Sequence, residues 1–212
     1  MNWPLIGAGS SVFSCQAQWP PPLMLDIMFR KGASEMARVR VYPHNDLLNL
    51  AHYQRETINN KVAEGIKEAI SLDCLSCIVS MAFAVEALVN FVGHQRVQDW
   101  RERRPYRRKI EEVCSVAGLA FDEAAEPFLT IWQLKETRDM IAHGQPYEGN
   151  QNVRTREELH AAMECPWDQY LTPEYINHAY EQVKEFEHRL LDGAGISIAN
   201  TLTSFVWAGF ET

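Results

Sequence analysis

A chain of 212 residues is long enough for one good core with embellishments. Its 46% hydrophobic and 23% charged residues are ordinary for a soluble globular domain. The net charge of −8 argues against non-specific nucleic-acid binding through the whole surface, so any RNA contact must be local.

Five cysteines (Cys15, Cys74, Cys77, Cys114, Cys165) are odd in number and lie mostly in helical patterns. That usage suits a reducing compartment better than a disulfide framework, and the expected location is the cytoplasm. No basic region precedes the modest apolar start, so no secretory signal is expected.

Residues 1–43 read as an irregular arm with Trp3, Trp19 and the run Pro20-Pro21-Pro22. Gly7-Ala8-Gly9-Ser10 is no phosphate loop, because it lacks the lysine and the strand–helix context. Residues 37–42 alternate apolar and basic, a short strand pattern. Asn45 or His44 caps a predicted helix over residues 46–71, with Leu47, Ala51, Ile58, Val62, Ile66 and Ala69 at helical spacing.

The second predicted helix, about residues 73–92, is apolar nearly all round. Its length approaches a membrane span, but Glu86, Asn90 and two serines are costly in lipid. It reads as the central helix of a bundle, with no membrane contact. Ser76, Ser80 and Ala84 form a small-residue stripe for close helix approach, and Gly93 is the expected stop.

A polar, basic connection follows over residues 95–104. Pro105 opens a third helix whose apolar face is Ile110, Val113, Cys114 and Ala117, with Gly118 as its stop. Residues 127–146 read as a fourth helix between two prolines. Gly144 fits the left-handed position just past its end. Residues 145–171 form an insertion with a short helix, where Thr155 and Glu158 fit a capping box. Thr172 caps the last helix and Pro173 opens it. Ile176, Ala179, Val183, Phe186 and Leu190 make the cleanest stripe in the chain, and Gly193 is the expected stop. The tail, residues 195–210, is partly strand-like, and the two ends of the chain are expected to pair or pack. The fold class is therefore all-α: a four-to-five-helix up-and-down bundle over residues 44–193, flanked by an N-terminal arm and a tail over 194–212.

The fourth helix carries the candidate chemistry. Ile131, Leu134 and Ile141 mark its buried face, and Arg138 sits on the same stripe. A permanent charge at an otherwise apolar position needs a partner or a task. Asp139 and His143 are four apart, hence neighbours, so the carboxylate is placed to orient the imidazole. Arg138 and His143 are roughly 140° apart around the helix and flank a common edge. Glu86 and Asn90, four apart on the buried second helix, want a cation. Arg138 is one partner for Glu86, and some other cation is the alternative.

The six residues Arg138-Asp139-Met140-Ile141-Ala142-His143, with Gly144 after them, resemble the arginine-polar-x3-histidine signature of the HEPN superfamily. The helical order around them, over about residues 46–191, agrees. The resemblance implies a helical bundle and, in many members, a ribonuclease that needs no metal or other cofactor. It also implies a homodimer in which both motifs face one cleft. His143 would be the acid/base, Arg138 would steady the phosphate, Asp139 would orient His143, and Glu86 with Asn90 would support them. The resemblance further implies a role as toxin or phage-defence effector, with RNA as the expected substrate and an antitoxin or regulatory protein as the expected partner. The alternative is a non-catalytic module of the same fold that binds protein or nucleic acid. A plainer reading makes Arg138 a structural ion-pair partner and His143 a cap for last-turn carbonyls.

Arg101, Arg103, Arg104, Arg107, Arg108 and Lys109 are the candidate phosphate-backbone patch, with Trp100 and Tyr106 for base stacking. A solvated loop and helix face is the plainer explanation. Cys74 and Cys77 read as core cysteines, because a zinc site wants a second pair. The remaining histidines (His44, His52, His94, His160, His178, His188) lack ligand spacing, so no metal is expected.

Overall fold

The computed structural model describes residues 37–146, 148–202 and 204–207. Expectations for residues 1–36 and for the end of the tail lie outside that range. Among the described residues the strands and α-helices follow in the order β1 Ala37–Arg40, α1 Pro43–Ala63, α2 Ile70–Arg96, α3 Tyr106–Val116, α4 Phe128–His143, α5 Arg156–Ala162, α6 Pro173–Gly193 and β2 Ser204–Trp207, with short 3-10 turns at Asp168–Tyr170 and Ile198–Thr201. β1 and β2 pair in a two-stranded sheet, as the strand patterns at the two ends predict. The helices form an all-α bundle, and its compact unit runs from Val39 to Phe205.

The centre of the bundle is α2, which packs against α1, α3, α4 and α6. Its all-round apolarity requires such a place, since Cys74, Cys77, Ile78, Met81, Val85, Leu88, Val89 and Val92 are all buried. Burial of each large aliphatic side chain is worth about 1.5–3 kcal/mol. Among the described residues, α2 is also the one helix long and apolar enough to cross a membrane, with mean hydropathy 2.0. Here 61% of that stretch is buried inside the bundle. The stripe of α6 behaves as its spacing predicts: Ile176, Ala179, Val183, Phe186 and Leu190 are fully buried. Thr172 Oγ1 accepts the Tyr175 N–H at 3.2 Å, the expected cap. Of the small-residue stripe on α2, Ser80 and Ala84 are buried, while Ser76 is exposed and meets Gln54 of α1.

Four boundaries differ from their sequence patterns, each for a physical reason. The first helix ends at Ala63, not near residue 71, because Gly65 adopts a left-handed conformation at φ 71°. The Gly65 and Ile66 N–H groups close the last turn onto the carbonyls of Val62 and Lys61. The same helix begins at Pro43, with no side-chain cap. Asn45 instead donates to the Thr201 carbonyl, and His44 is buried.

The second helix runs through Gly93 to Arg96. Gly93 is small because the Trp100 indole lies where a Cβ would stand, so it serves packing and not termination. Likewise Gly193 belongs to α6, and its bare Cα meets the Ala117 carbonyl at the end of α3. The left-handed position is taken by Gly195, at φ 62°. Gly118, at φ 66°, ends α3 as predicted.

Cys74, Cys77 and Cys114 all lie in the core, and burial pushes their thiols up to about 11, 12 and 12. They are therefore poor nucleophiles. His44 is fully buried with neither ring nitrogen partnered, 4.7 Å from the Phe91 ring by centroid. Burial holds it below its ordinary value of 6.5, and Glu187 and Asp46 oppose that shift only in part.

Two outcomes follow. Gly93→Ala should lower stability by about 1–3 kcal/mol through overpacking against Trp100. A reduced urea midpoint at unchanged m-value reports it, whereas an unchanged midpoint would remove Trp100 as the reason for glycine. For His44, the folded state binds its proton less tightly than the unfolded chain, so acid favours unfolding. Its stabilising neutral form is fully effective above 6.5 and loses ground as pH falls below that value. The urea midpoint should therefore drop between about pH 7.5 and about pH 5, and less steeply in His44→Phe. Parallel pH slopes for the two proteins would contradict this account.

Candidate active site

Helix α4 owes its position to Phe128, Thr130, Ile131, Leu134 and Thr137, which face the core. Arg138 follows Thr137 and stands at the edge of that buried face, its side chain 20% exposed. Its Nη2 donates to Glu86 Oε2 of α2 at 3.2 Å. The guanidinium also lies over the Phe83 ring, 5.2 Å from its centroid. The partnership of Glu86 with Arg138 is thus present.

The alternative partner is present as well. Lys109 of α3 is 2% exposed, and its ammonium donates to Glu86 Oε1 at 2.7 Å. Asn90 Oδ1 lies 3.4 Å from the same ammonium. One carboxylate therefore holds two cations from two helices. Lys109 does not belong to the surface patch in which the sequence placed it. The signal was available: Lys109 stands four residues before buried Val113, hence on the apolar stripe of α3.

Asp139 is engaged by other residues than the expected one. Its Oδ2 pairs with Lys135 Nζ at 2.9 Å, one turn earlier. Its Oδ1 is 3.1 Å from Arg138 Nε, near enough for charge attraction but misdirected for a hydrogen bond. No hydrogen bond joins Asp139 to His143 among the described residues. His143 is the last residue of α4, exposed, and forms neither a hydrogen bond nor an ion pair there. The five charges Lys109, Glu86, Arg138, Asp139 and Lys135 form a continuous chain across three helices with one positive charge in excess.

Aromatic rings border this chain. Lys135 Nζ lies 5.6 Å from the Trp132 ring centroid, and Trp132 meets Tyr106 at 5.9 Å. Burial pushes the Tyr106 phenol well above its ordinary range, with the Glu86 charge adding to the effect. Phe83, Trp132 and Lys135 were not singled out from the sequence. The Lys135–Asp139 spacing of four was the one signal for them.

The end of α4 differs from its predicted stop. Gly144 has φ −57° and ψ 131°, an extended conformation and not a left-handed one. A Cβ there would stand 2.9 Å from the Met140 carbonyl oxygen and 3.8 Å from the Trp167 indole edge. Asp139, Met140 and His143 line a cleft of about 900 Å³, closed on its other side by residues of the 145–167 segment that include Cys165 and Trp167. Arg138 is not among its walls. The two motif residues thus diverge: the guanidinium faces α2 and the imidazole faces the cleft.

The basic window is partly neutralised. Arg104 pairs with Glu112 and donates to the Asp99 carbonyl at 3.1 Å. Arg107 pairs with Glu111 at 2.9 Å and Glu123 at 3.1 Å. Arg101, Arg103 and Arg108 are exposed without an ion pair among the described residues. Trp100 packs on Gly93 and is occupied there. No protein-family model, curated protein or solved structure matches the chain.

Because Glu86 holds two cations, losing either should be felt but not ruinous. Lys109→Met should cost about 2 kcal/mol, less than the ~3–5 kcal/mol of a fully buried pair broken on one side. Combined with Glu86→Gln, the losses should fall short of additivity by about 1 kcal/mol or more in chemical denaturation. Simple additivity would mean that the two side chains are energetically independent.

Proposed function

We propose that this chain is a cytoplasmic, homodimeric, metal-independent endoribonuclease of HEPN type. The observation that carries the reading is the state of Arg138 and His143. The guanidinium is held by Glu86 on a side chain that is 20% exposed, and an exposed imidazole, unpartnered among the described residues, stands at the same helix end.

Chemistry follows from that pair. The 2′-hydroxyl of the substrate loses its proton to an imidazole, and its oxygen bonds to the adjacent phosphorus. The phosphorus–5′-oxygen bond breaks, and the leaving oxygen takes a proton. The products are a 2′,3′-cyclic phosphate and a 5′-hydroxyl. His143 supplies one proton transfer. The partner subunit's His143, across a shared cleft, supplies the other. Arg138 donates to the phosphate oxygens as their charge grows. Lys109 and Asn90 act behind Glu86 to hold the guanidinium. A growth-arresting toxin or phage-defence effector, restrained by an antitoxin or regulatory protein, is a fitting cellular role.

A second reading has its own support. Asp139 is committed to Lys135 and Arg138, which leaves His143 with no group among the described residues to fix its tautomer. A non-catalytic binding module of the same fold would present such a site.

Cleavage of a labelled single-stranded RNA in the presence of a chelator separates the two. The wild type should release fragments ending in cyclic phosphate, and His143→Ala should be slower by about 100-fold or more with its circular dichroism unchanged. Arg138→Ala should be similarly impaired, and expression of the wild type but not of His143→Ala should arrest growth. Absence of cleavage, with both proteins equally tolerated by cells, would support the binding module.

A further inference from the structure

The cleft beside His143 is not explained by phosphate chemistry. Its walls combine flat and soft apolar groups, Trp167, Met140, Met163 and Leu159, with two amides, Gln145 and Gln151. Among the described residues, His143 is the one side chain on it that can carry a positive charge, and neither lysine nor arginine lines it. Asp139 is neutralised by its pairing with Lys135, while the Glu164 carboxylate on the opposite wall adds a negative charge that repels phosphate. A phosphate gains little in such a place, whereas a neutral, planar, hydrogen-bonding ring gains both stacking and edge recognition.

We propose that this cleft is a nucleobase-binding subsite, which takes the base of a nucleotide flanking the attacked phosphate and stacks it on Trp167. The inference rests on the ribonuclease reading for the identity of the ligand as RNA. Geometry supports it in three ways. Trp167 is half-buried, and the edge of its indole lies against Gly144, the residue that follows His143, so the ring and the imidazole line the same cleft. A cleft of about 900 Å³ has ample room for a base with part of its sugar. Arg138 lies outside the cleft walls and His143 on them, so a nucleotide with its base inside would leave its phosphate at the rim between the two. The 145–171 segment would thereby act as the specificity element of the site, with the Gln145 and Gln151 amides reading the base edge by their paired donor and acceptor atoms.

The test uses the full chain labelled with 5-fluorotryptophan and short 2′-O-methyl RNA oligonucleotides, which bind but are not cleaved. Trp167→Phe assigns the Trp167 fluorine resonance. That resonance should shift on titration, and an oligonucleotide with an abasic site should shift it much less. Trp167→Ala should weaken binding by about tenfold or more. Trp167→Phe should stay within about threefold, since it keeps a stacking face. Equal affinity for wild type and Trp167→Ala, or equal response to the abasic oligonucleotide, would overturn the subsite. A Trp167 shift driven by protein concentration alone would assign the cleft to self-association and overturn it too. Binding at Trp167 without any RNA cleavage would leave the subsite standing and remove the nuclease. Cleavage with kcat and KM unchanged in Trp167→Ala would do the reverse.

Discussion

Three helices meet at one carboxylate. Glu86 on the central helix accepts from Lys109 on α3 and from Arg138 on α4, at 2.7 and 3.2 Å. Each cation sits where its helix would otherwise be apolar, so neither can be left unpaired at low cost. The same bonds that satisfy them also fix the helices relative to one another. Asn90, one turn beyond Glu86, lies near the Lys109 ammonium and completes the arrangement. Everything at the tip of α4 depends on this anchoring, because Arg138 is the last residue of that helix tied to the bundle interior by a directed polar contact.

Past that anchor the helix changes character. Asp139 turns to the charges beside it, and His143 reaches solvent and the cleft. The site is thus divided between a rigid half, built on packed helices, and a half formed with the 145–171 segment. Rigid helices suit the group that must meet phosphate charge at a fixed place. The segment, whose short helix α5 has no buried residue, suits the part that selects among similar ligands.

The helical class and the order of the long elements could be read from periodicity, because one-sided apolar spacing as on α6 has few other solutions. The cap at Thr172 and the stop at Gly118 were equally readable, since each follows from local backbone chemistry. What misled was glycine. Gly93 and Gly193 are small because of neighbours distant in sequence, Trp100 and Ala117, and no local pattern reports such contacts. The inward turn of Lys109 was visible as a spacing but was hidden inside a run of cations that invited a surface interpretation. Trp167 was missed altogether. Its proximity to Gly144 is a product of how residues 145–171 fold back, and a non-repetitive segment has no period to read.

The bundle is also laced where the end of α2, the start of α1 and the segment after α6 meet. Arg96 donates to the Ala194 and Gly195 carbonyls at 2.7 and 2.9 Å, and Asn45 bonds to Thr201. These contacts tie the segment after α6 to the end of α2 and the beginning of α1. A pull applied at Val39 and Phe205 would therefore load the β1–β2 pairing and then these few directional bonds before any helix felt tension. Such bonds are short in reach and yield abruptly when stretched, unlike a greasy interface that slides. Under mechanical stress the strand pair and this lacing would act together as a fuse, parting before the helices behind them.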